Sequence, residues 1–83
     1  MGSSVSYPHA MKGRIVDAIA HFKQGLHCEN ISDQEQLFLY FRIGRCYEYM
    51  GESDEALYYY SRVMRSCPNY RDVRRRVQIL KRK

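Results

Sequence analysis

Residues 37–70 decide the fold, and they read LFLYFRIGRCYEYMGESDEALYYYSRVMRSCPNY. Apolar residues recur along this stretch at steps of three and four, which predicts two amphipathic helices. Gly51 lies in the break between them, and Pro68 ends the second helix because proline has no amide hydrogen with which to continue it. The two apolar stripes contain Leu39, Ile43, Cys46, Tyr47 and Met50, and then Ala56, Leu57, Tyr60, Val63, Met64 and Cys67. The stretch therefore predicts a helical hairpin.

The same periodicity continues on both sides of the hairpin. The preceding helix carries one apolar stripe and the following helix another, formed by Ile15, Ile19, Phe22 and Leu26 and by Val73, Val77 and Leu80. Ser32 and Glu35 have the spacing of a capping box, and Asn69 is the expected cap of the last helix. No segment alternates with a period of two. We therefore predict an all-α protein of about four helices, over residues 14–28, 33–50, 53–66 and 70–82.

The chain also repeats itself. At a shift of 34 residues, Leu39, Ile43 and Cys46 fall on Val73, Val77 and Leu80. At a shift of 38 residues, Gly51, Ala56, Tyr60 and Met64 fall on Gly13, Ala18, Phe22 and Leu26. Self-similarity at such a period is typical of helical repeat proteins. The order is the second half of a unit, a full unit and the first half of a third.

Residues 37–70 resemble one tetratricopeptide repeat. The positions that carry the resemblance are Tyr40, Ile43, Gly44, Tyr47, Gly51, Ala56, Tyr60, Val63 and Pro68. Gly44 and Ala56 are small, so the two helices of the pair can pack closely. The resemblance extends over a domain of residues 13–83, with a half repeat at 13–30, the full repeat at 37–70 and a capping helix at 71–83. Residues 1–12 are predicted to be irregular and have a composition typical of residues added in cloning.

The resemblance implies a protein-interaction module that binds a peptide or protein along its concave face. The site residues that it implies are Phe38, Phe41, Arg42, Arg45, Tyr49, Arg75 and Ile79. The aromatic rings would bury apolar surface of a bound peptide, and the guanidinium groups would contact its carboxylates. The alternative is that Phe38 and Phe41 pack against a neighbouring unit or a second copy. Because fewer than three repeats leave apolar surface uncovered, a homodimer through the repeat ends is also expected.

The positive charge is concentrated at the end of the sequence. The net charge is +5, but residues 1–70 hold 7 basic and 8 acidic residues, whereas residues 71–83 hold 7 and 1. This basic helix could act as an adaptor for RNA or an anionic surface, which is the alternative function. We favour the simpler interpretation that it is the solubilising outer face of a capping helix. Residues 71–83 have no interleaved aromatic residues and no nucleic-acid motif, so nucleic acid is not the favoured partner.

Several other classes of function find little support in the sequence. Three cysteines at wide spacing form no disulfide framework, so reduced thiols in a cytoplasmic protein are expected. His21, His27 and Cys28 match no zinc signature, and we predict neither metal nor cofactor. No active-site motif accompanies the histidines, and no apolar run could span a membrane, so we predict neither an enzyme nor a membrane span. Tyr58–Tyr60 could stack on bases, although a packed Tyr60 beside two surface tyrosines fits the helical spacing better.

Overall fold

The computed structural model describes residues 9–82, and all of their regular structure is helical. The helices are α1 (His9–Leu26), α2 (Asp33–Met50), α3 (Ser53–Ser66) and α4 (Val73–Arg82). Consecutive helices pack against one another, α1 on α2, α2 on α3 and α3 on α4. This is the helical hairpin array that the periodicity predicts, and the all-α expectation is confirmed over the described residues.

The two central helices have the predicted bounds because both of their ends are locally encoded. The Ser32 hydroxyl accepts from the Glu35 amide at 3.2 Å, while the Glu35 carboxylate accepts from the Ser32 amide at 3.2 Å. This capping box satisfies two amides at the start of α2. At its end, Gly51 adopts φ 83°, in the left-handed region, and its amide donates to the last turn. Glycine reaches that conformation without the steric cost that other residues incur.

The outer helices begin at other residues than predicted. Helix α1 begins at His9, so the expectation of irregular structure is wrong for residues 9–12, while residues 1–8 lie outside the described part. Alanine, methionine and lysine at positions 10–12 are strong helix formers, so the helix can begin before Gly13. Helix α4 begins at Val73, and Asn69 does not cap it. Turns occupy residues 68–72 instead, with Arg71 at φ 46°.

The core lies between α2, α3 and α4. Its buried members are Phe41, Ala56, Tyr60, Val63, Val73, Val77 and Leu80. Gly44 faces Tyr60, and a Cβ atom built on Gly44 would lie 2.8 Å from the Tyr60 ring. The small residue at position 44 therefore makes room for the Tyr60 ring in particular. Ala56 is also fully buried, as its place on the predicted stripe requires.

A polar network connects the same three helices. The buried Tyr60 donates its hydroxyl to Glu48 Oε1 at 2.6 Å, and Glu48 also accepts from Arg76 Nη1 at 3.2 Å. Arg76 Nε lies 3.2 Å from Asp72 Oδ2, and its N–H does not point at that oxygen, so this contact is an ion pair rather than a hydrogen bond. The network gives the buried phenol its partner and ties α4 to α2.

Candidate functional site

A groove of about 340 Å³ lies between α1 and α2. Its lining residues are Ala18, Phe22, Arg42, Arg45, Cys46 and Tyr49. Three of the predicted site residues, Arg42, Arg45 and Tyr49, are thus brought together here. Phe22 and Cys46 were assigned to apolar stripes from the sequence, and only the packing of α1 on α2 shows that they reach this groove.

Aromatic rings position both arginines of the groove. The Arg42 guanidinium carbon lies 5.9 Å from the centroid of Phe22 and 5.5 Å from that of Phe38. The Arg45 guanidinium carbon is 5.4 Å from the Tyr49 ring, and Arg45 Nη2 donates to the Tyr49 hydroxyl at 2.9 Å. Such contacts hold a guanidinium in place without neutralising its charge. Neither arginine has an acidic partner among the residues that the structure describes.

The Cys46 thiol lines this groove and is partly buried. Burial raises the pKa of Cys46, and the nearby charges of Arg42 and Arg45 only partly oppose this effect. Because the thiolate is the reactive form, a raised pKa makes the thiol less reactive at neutral pH.

The two predicted phenylalanines have different environments. Phe38 is 42% exposed and borders the groove through its contact with Arg42. Phe41 is only 4% exposed, so the expectation that it lies on the open face is wrong. Its ring centroid lies 5.7 Å from that of Tyr60 and 5.5 Å from that of Tyr70, which follows the hairpin. The Tyr70 ring covers a position that the helical pattern alone leaves open.

Arg75 and Ile79 are on the surface of α4 but apart from this groove. Both line a separate depression of about 360 Å³, together with Gln78 and Arg82. Ile79 is 42% exposed. The structure thus divides the seven predicted residues among the α1–α2 groove and its border, the core, and the outer surface of α4.

The tyrosine run does not form one stacking surface. Tyr60 is buried, Tyr58 is 54% exposed, and Tyr59 stacks on Tyr47 with the ring planes 14° apart. Lys23 Nζ donates to the Tyr47 hydroxyl at 3.1 Å, which raises the pKa of Lys23. Burial likewise raises the pKa of Tyr59. Tyr59 is therefore more deeply packed than the surface position expected for it, and it links α3 to α1.

The described residues show no group of three or more side chains placed to hold a metal ion. His21, His27 and Cys28 are all exposed. The cysteines Cys28, Cys46 and Cys67 are free thiols. None of the four helices, as far as the structure describes them, is long and apolar enough to cross a bilayer.

The fold and its repeat define the class as a helical-hairpin repeat protein. Residues 37–70 match the family model of the tetratricopeptide repeat. Residues 37–70 therefore form one tetratricopeptide repeat. No curated protein and no solved structure matches the chain. Repeats of this family are in general non-catalytic modules for protein–protein interaction.

Proposed function

We propose that the protein binds a peptide segment of a partner protein along α2, through the α1–α2 groove and the adjoining surface. The observation that carries the proposal is the pair Arg42 and Arg45, which are held by aromatic rings and have no acidic partner among the described residues. Guanidinium groups in this state favour bidentate contacts with carboxylates. The partner segment would be acidic, with an apolar side chain for Phe38 and Phe22.

Phe38 and Tyr49 supply the apolar part of the proposed site. They are 42% and 51% exposed, so their rings can lose further surface when a partner binds. Aromatic residues and arginine are the residue types that most often dominate binding energy at interfaces. Phe41 lies in the core rather than on this surface, and Arg75 and Ile79 would extend contact onto α4 only for a longer segment.

Peptide selection followed by a charge-reversal test addresses the proposal. Acidic peptides selected by display on the wild-type protein should lose at least about tenfold in affinity for Arg42→Glu/Arg45→Glu, which removes two charge contacts. The matched control is Arg14→Glu/Arg74→Glu, which changes net charge equally at exposed positions outside the groove. An equal loss in both variants, or selection of peptides without acidic residues, would refute the proposal.

The alternative is a basic adaptor that contacts RNA or an anionic surface through residues 71–83. It has a specific observation in its favour, because four cations of α4 are exposed, namely Arg74, Arg75, Lys81 and Arg82. Salt separates the two functions. Nucleic-acid affinity falls steeply with ionic strength through counterion release, whereas an aromatic-anchored peptide complex should depend on it much less. Titration of a labelled single-stranded RNA at two salt concentrations measures the difference.

We further propose that the protein is a non-catalytic cytoplasmic module that self-associates at high concentration. The three free thiols suit a reducing compartment. On α1, Val16 is 50% exposed, and Ile15 and Leu26 are only partly buried. A second copy could cover this surface. Sedimentation equilibrium over a wide concentration range tests the association, and a monomeric mass at millimolar protein would contradict it.

A further inference from the structure

A second groove lies between α3 and α4, and it is separate from the proposed peptide site. It encloses about 560 Å³ and is lined by Leu57, Tyr58, Ser61, Met64, Arg65, Val77 and Lys81. Its apolar lining residues Leu57, Met64 and Val77 adjoin the core. Two cations, Arg65 and Lys81, border it, and no acidic side chain lines it. The groove thus combines an apolar floor with a positive rim.

The internal repeat shows what kind of element such a groove accommodates. At the shifts of 38 and 34 residues, Leu57, Ser61 and Met64 correspond to Ile19, Lys23 and Leu26, while Val77 and Lys81 correspond to Ile43 and Tyr47. At that earlier position between α1 and α2, another helix is present. That helix is α3, whose Tyr59 contacts both α1 and α2. The Tyr59 ring centroid lies 5.7 Å from that of Tyr47 on α2 and 5.9 Å from Lys23 Nζ on α1.

Among the described helices, only α3 and α4 line this groove, and none occupies the position beside them that α3 occupies beside α1 and α2. From Leu57 to Arg65 the groove follows α3 for about 12 Å, or roughly two turns of a partner helix. A partner helix could lie against α3 and α4 in the way that α3 lies against α1 and α2. It would then place an aromatic or large aliphatic residue near Ser61 and Lys81, which correspond to the two residues that Tyr59 contacts. Carboxylates on its flanks would meet Arg65 and Lys81.

We infer that the α3–α4 groove binds an acidic amphipathic helix of a partner protein, at a site distinct from the one proposed on α2. Helix-in-groove recognition reads apolar residues at steps of three and four along one face of the bound helix. Here the apolar floor provides the contact area, and the positive rim selects acidic over basic helices. The site does not include Arg42 or Arg45, so this inference can be tested and refuted independently of the proposed function.

The probe is a synthetic amphipathic peptide of about 18 residues, long enough to form several helical turns. Its apolar face carries leucines and one tyrosine, and its flanks carry glutamates. A second peptide replaces every glutamate with lysine. Fluorescence anisotropy should show that the wild-type protein binds the glutamate peptide and discriminates against the lysine peptide.

Two charge-reversal variants then locate the site. Arg65→Glu/Lys81→Glu should lose at least about tenfold in affinity for the glutamate peptide, because two exposed ion pairs become repulsions. The same variant should gain affinity for the lysine peptide. Arg14→Glu/Arg71→Glu alters net charge by the same amount at exposed positions outside the groove, so it should stay within about twofold of wild type.

Several outcomes would overturn the inference. They are an absence of binding to wild type, equal losses in the two charge-reversed proteins, and a loss confined to Arg42→Glu/Arg45→Glu, which would place the peptide in the α1–α2 groove. Circular dichroism checks that each variant is folded. If Arg65→Glu/Lys81→Glu is unfolded, Ser61→Glu places a negative charge at an exposed position in the same groove and should weaken the glutamate peptide alone.

Discussion

The hydroxyl of Tyr60 donates to the carboxylate of Glu48 at 2.6 Å, across the interface between α3 and α2. The ring of Tyr60 is fully buried, whereas the Glu48 side chain keeps about a quarter of its surface exposed, 23%. Because Glu48 also accepts from Arg76, one carboxylate serves the core and the last helix together. The stability of the hairpin and the placement of α4 are therefore coupled.

Tyr60→Phe tests the value of that hydrogen bond. The change keeps the ring and removes only the hydroxyl donor, while Glu48 retains Arg76 as a partner. We expect a loss of about 1.5–3 kcal/mol in the free energy of unfolding, the usual range for a hydrogen bond to a charged group. Urea denaturation measures it. Tyr58→Phe is the control, because Tyr58 is 54% exposed, and a similar loss there would contradict the interpretation.

The same phenol should make stability depend on alkaline pH. Burial, the hydrogen bond to Glu48 and the Glu48 charge raise the pKa of Tyr60 above its ordinary value of 10.0. The folded protein thus keeps this proton at pH values where the unfolded chain loses it. Stability contributed by Tyr60 is complete below pH 10.0 and decreases as the pH rises above it.

Urea denaturation of wild type and Tyr60→Phe on both sides of that pH isolates this effect. Other titrating groups are common to both proteins, so the wild type should lose more stability than the variant as the pH rises. Tyr58→Phe should retain the wild-type dependence. Parallel curves for wild type and Tyr60→Phe would show that the phenol is not linked to folding.

Gly44→Ala and Gly13→Ala should have opposite effects. At position 44 the new Cβ atom would lie 2.8 Å from the rigid Tyr60 ring, whereas at position 13 it would meet no atom within 4 Å. Overpacking should destabilise Gly44→Ala by about 1–3 kcal/mol. Gly13→Ala should stabilise by up to about 1 kcal/mol, because alanine favours an exposed helix interior. Thermal melts of the two variants measure these effects. If both changes stabilised the protein, the close contact between position 44 and the Tyr60 ring would be disproved.

Phe41→Ala and Phe38→Ala separate the core from the surface. Phe41 is 4% exposed and packs on Tyr60 and Tyr70, so its truncation should remove about 3–5 kcal/mol of stability. Phe38 is 42% exposed, so Phe38→Ala should alter the melting temperature little and weaken peptide binding. Circular dichroism melts and anisotropy titrations measure the two properties. If Phe41→Ala lost peptide binding but kept its stability, Phe41 would be a binding residue and not a core residue.

Local signals account for what the sequence predicted well. The capping box at Ser32, the glycine at position 51 and the proline at position 68 each act on neighbouring backbone groups, so both central helices were predicted with the right bounds. The start of α4 was not predicted correctly, because residues 68–72 form turns. Arg71 takes a left-handed conformation there, and an arginine does not indicate such a conformation in a sequence. Asn69 suggested a helix cap at that position, but the turns continue beyond it and the helix begins only at Val73.

The errors in the site have a different origin, since they depend on contacts between residues far apart in the chain. The resemblance to the repeat family put Phe41 on the open concave face, whereas the rings of Tyr60 and Tyr70 pack on it in the core. Glu48 and Arg76 are 28 residues apart, and no local pattern links them. One signal was available. A tyrosine predicted to be buried requires a hydrogen-bond partner, and an acidic residue on the adjacent helix is a natural one.

Helix α1 contributes no residue to the connected core of α2, α3 and α4, although its Ile19 is buried. Such a chain need not open in a single step. Its contacts join sequence neighbours, which favours rapid folding and lets a terminal helix detach while the rest persists. In amide hydrogen exchange, α1 should therefore lose protection at a lower free energy than α2 and α3 do. Because α1 forms one wall of the α1–α2 groove, that groove would exist only while α1 is docked, and its occupancy would slow the exchange of α1 amides.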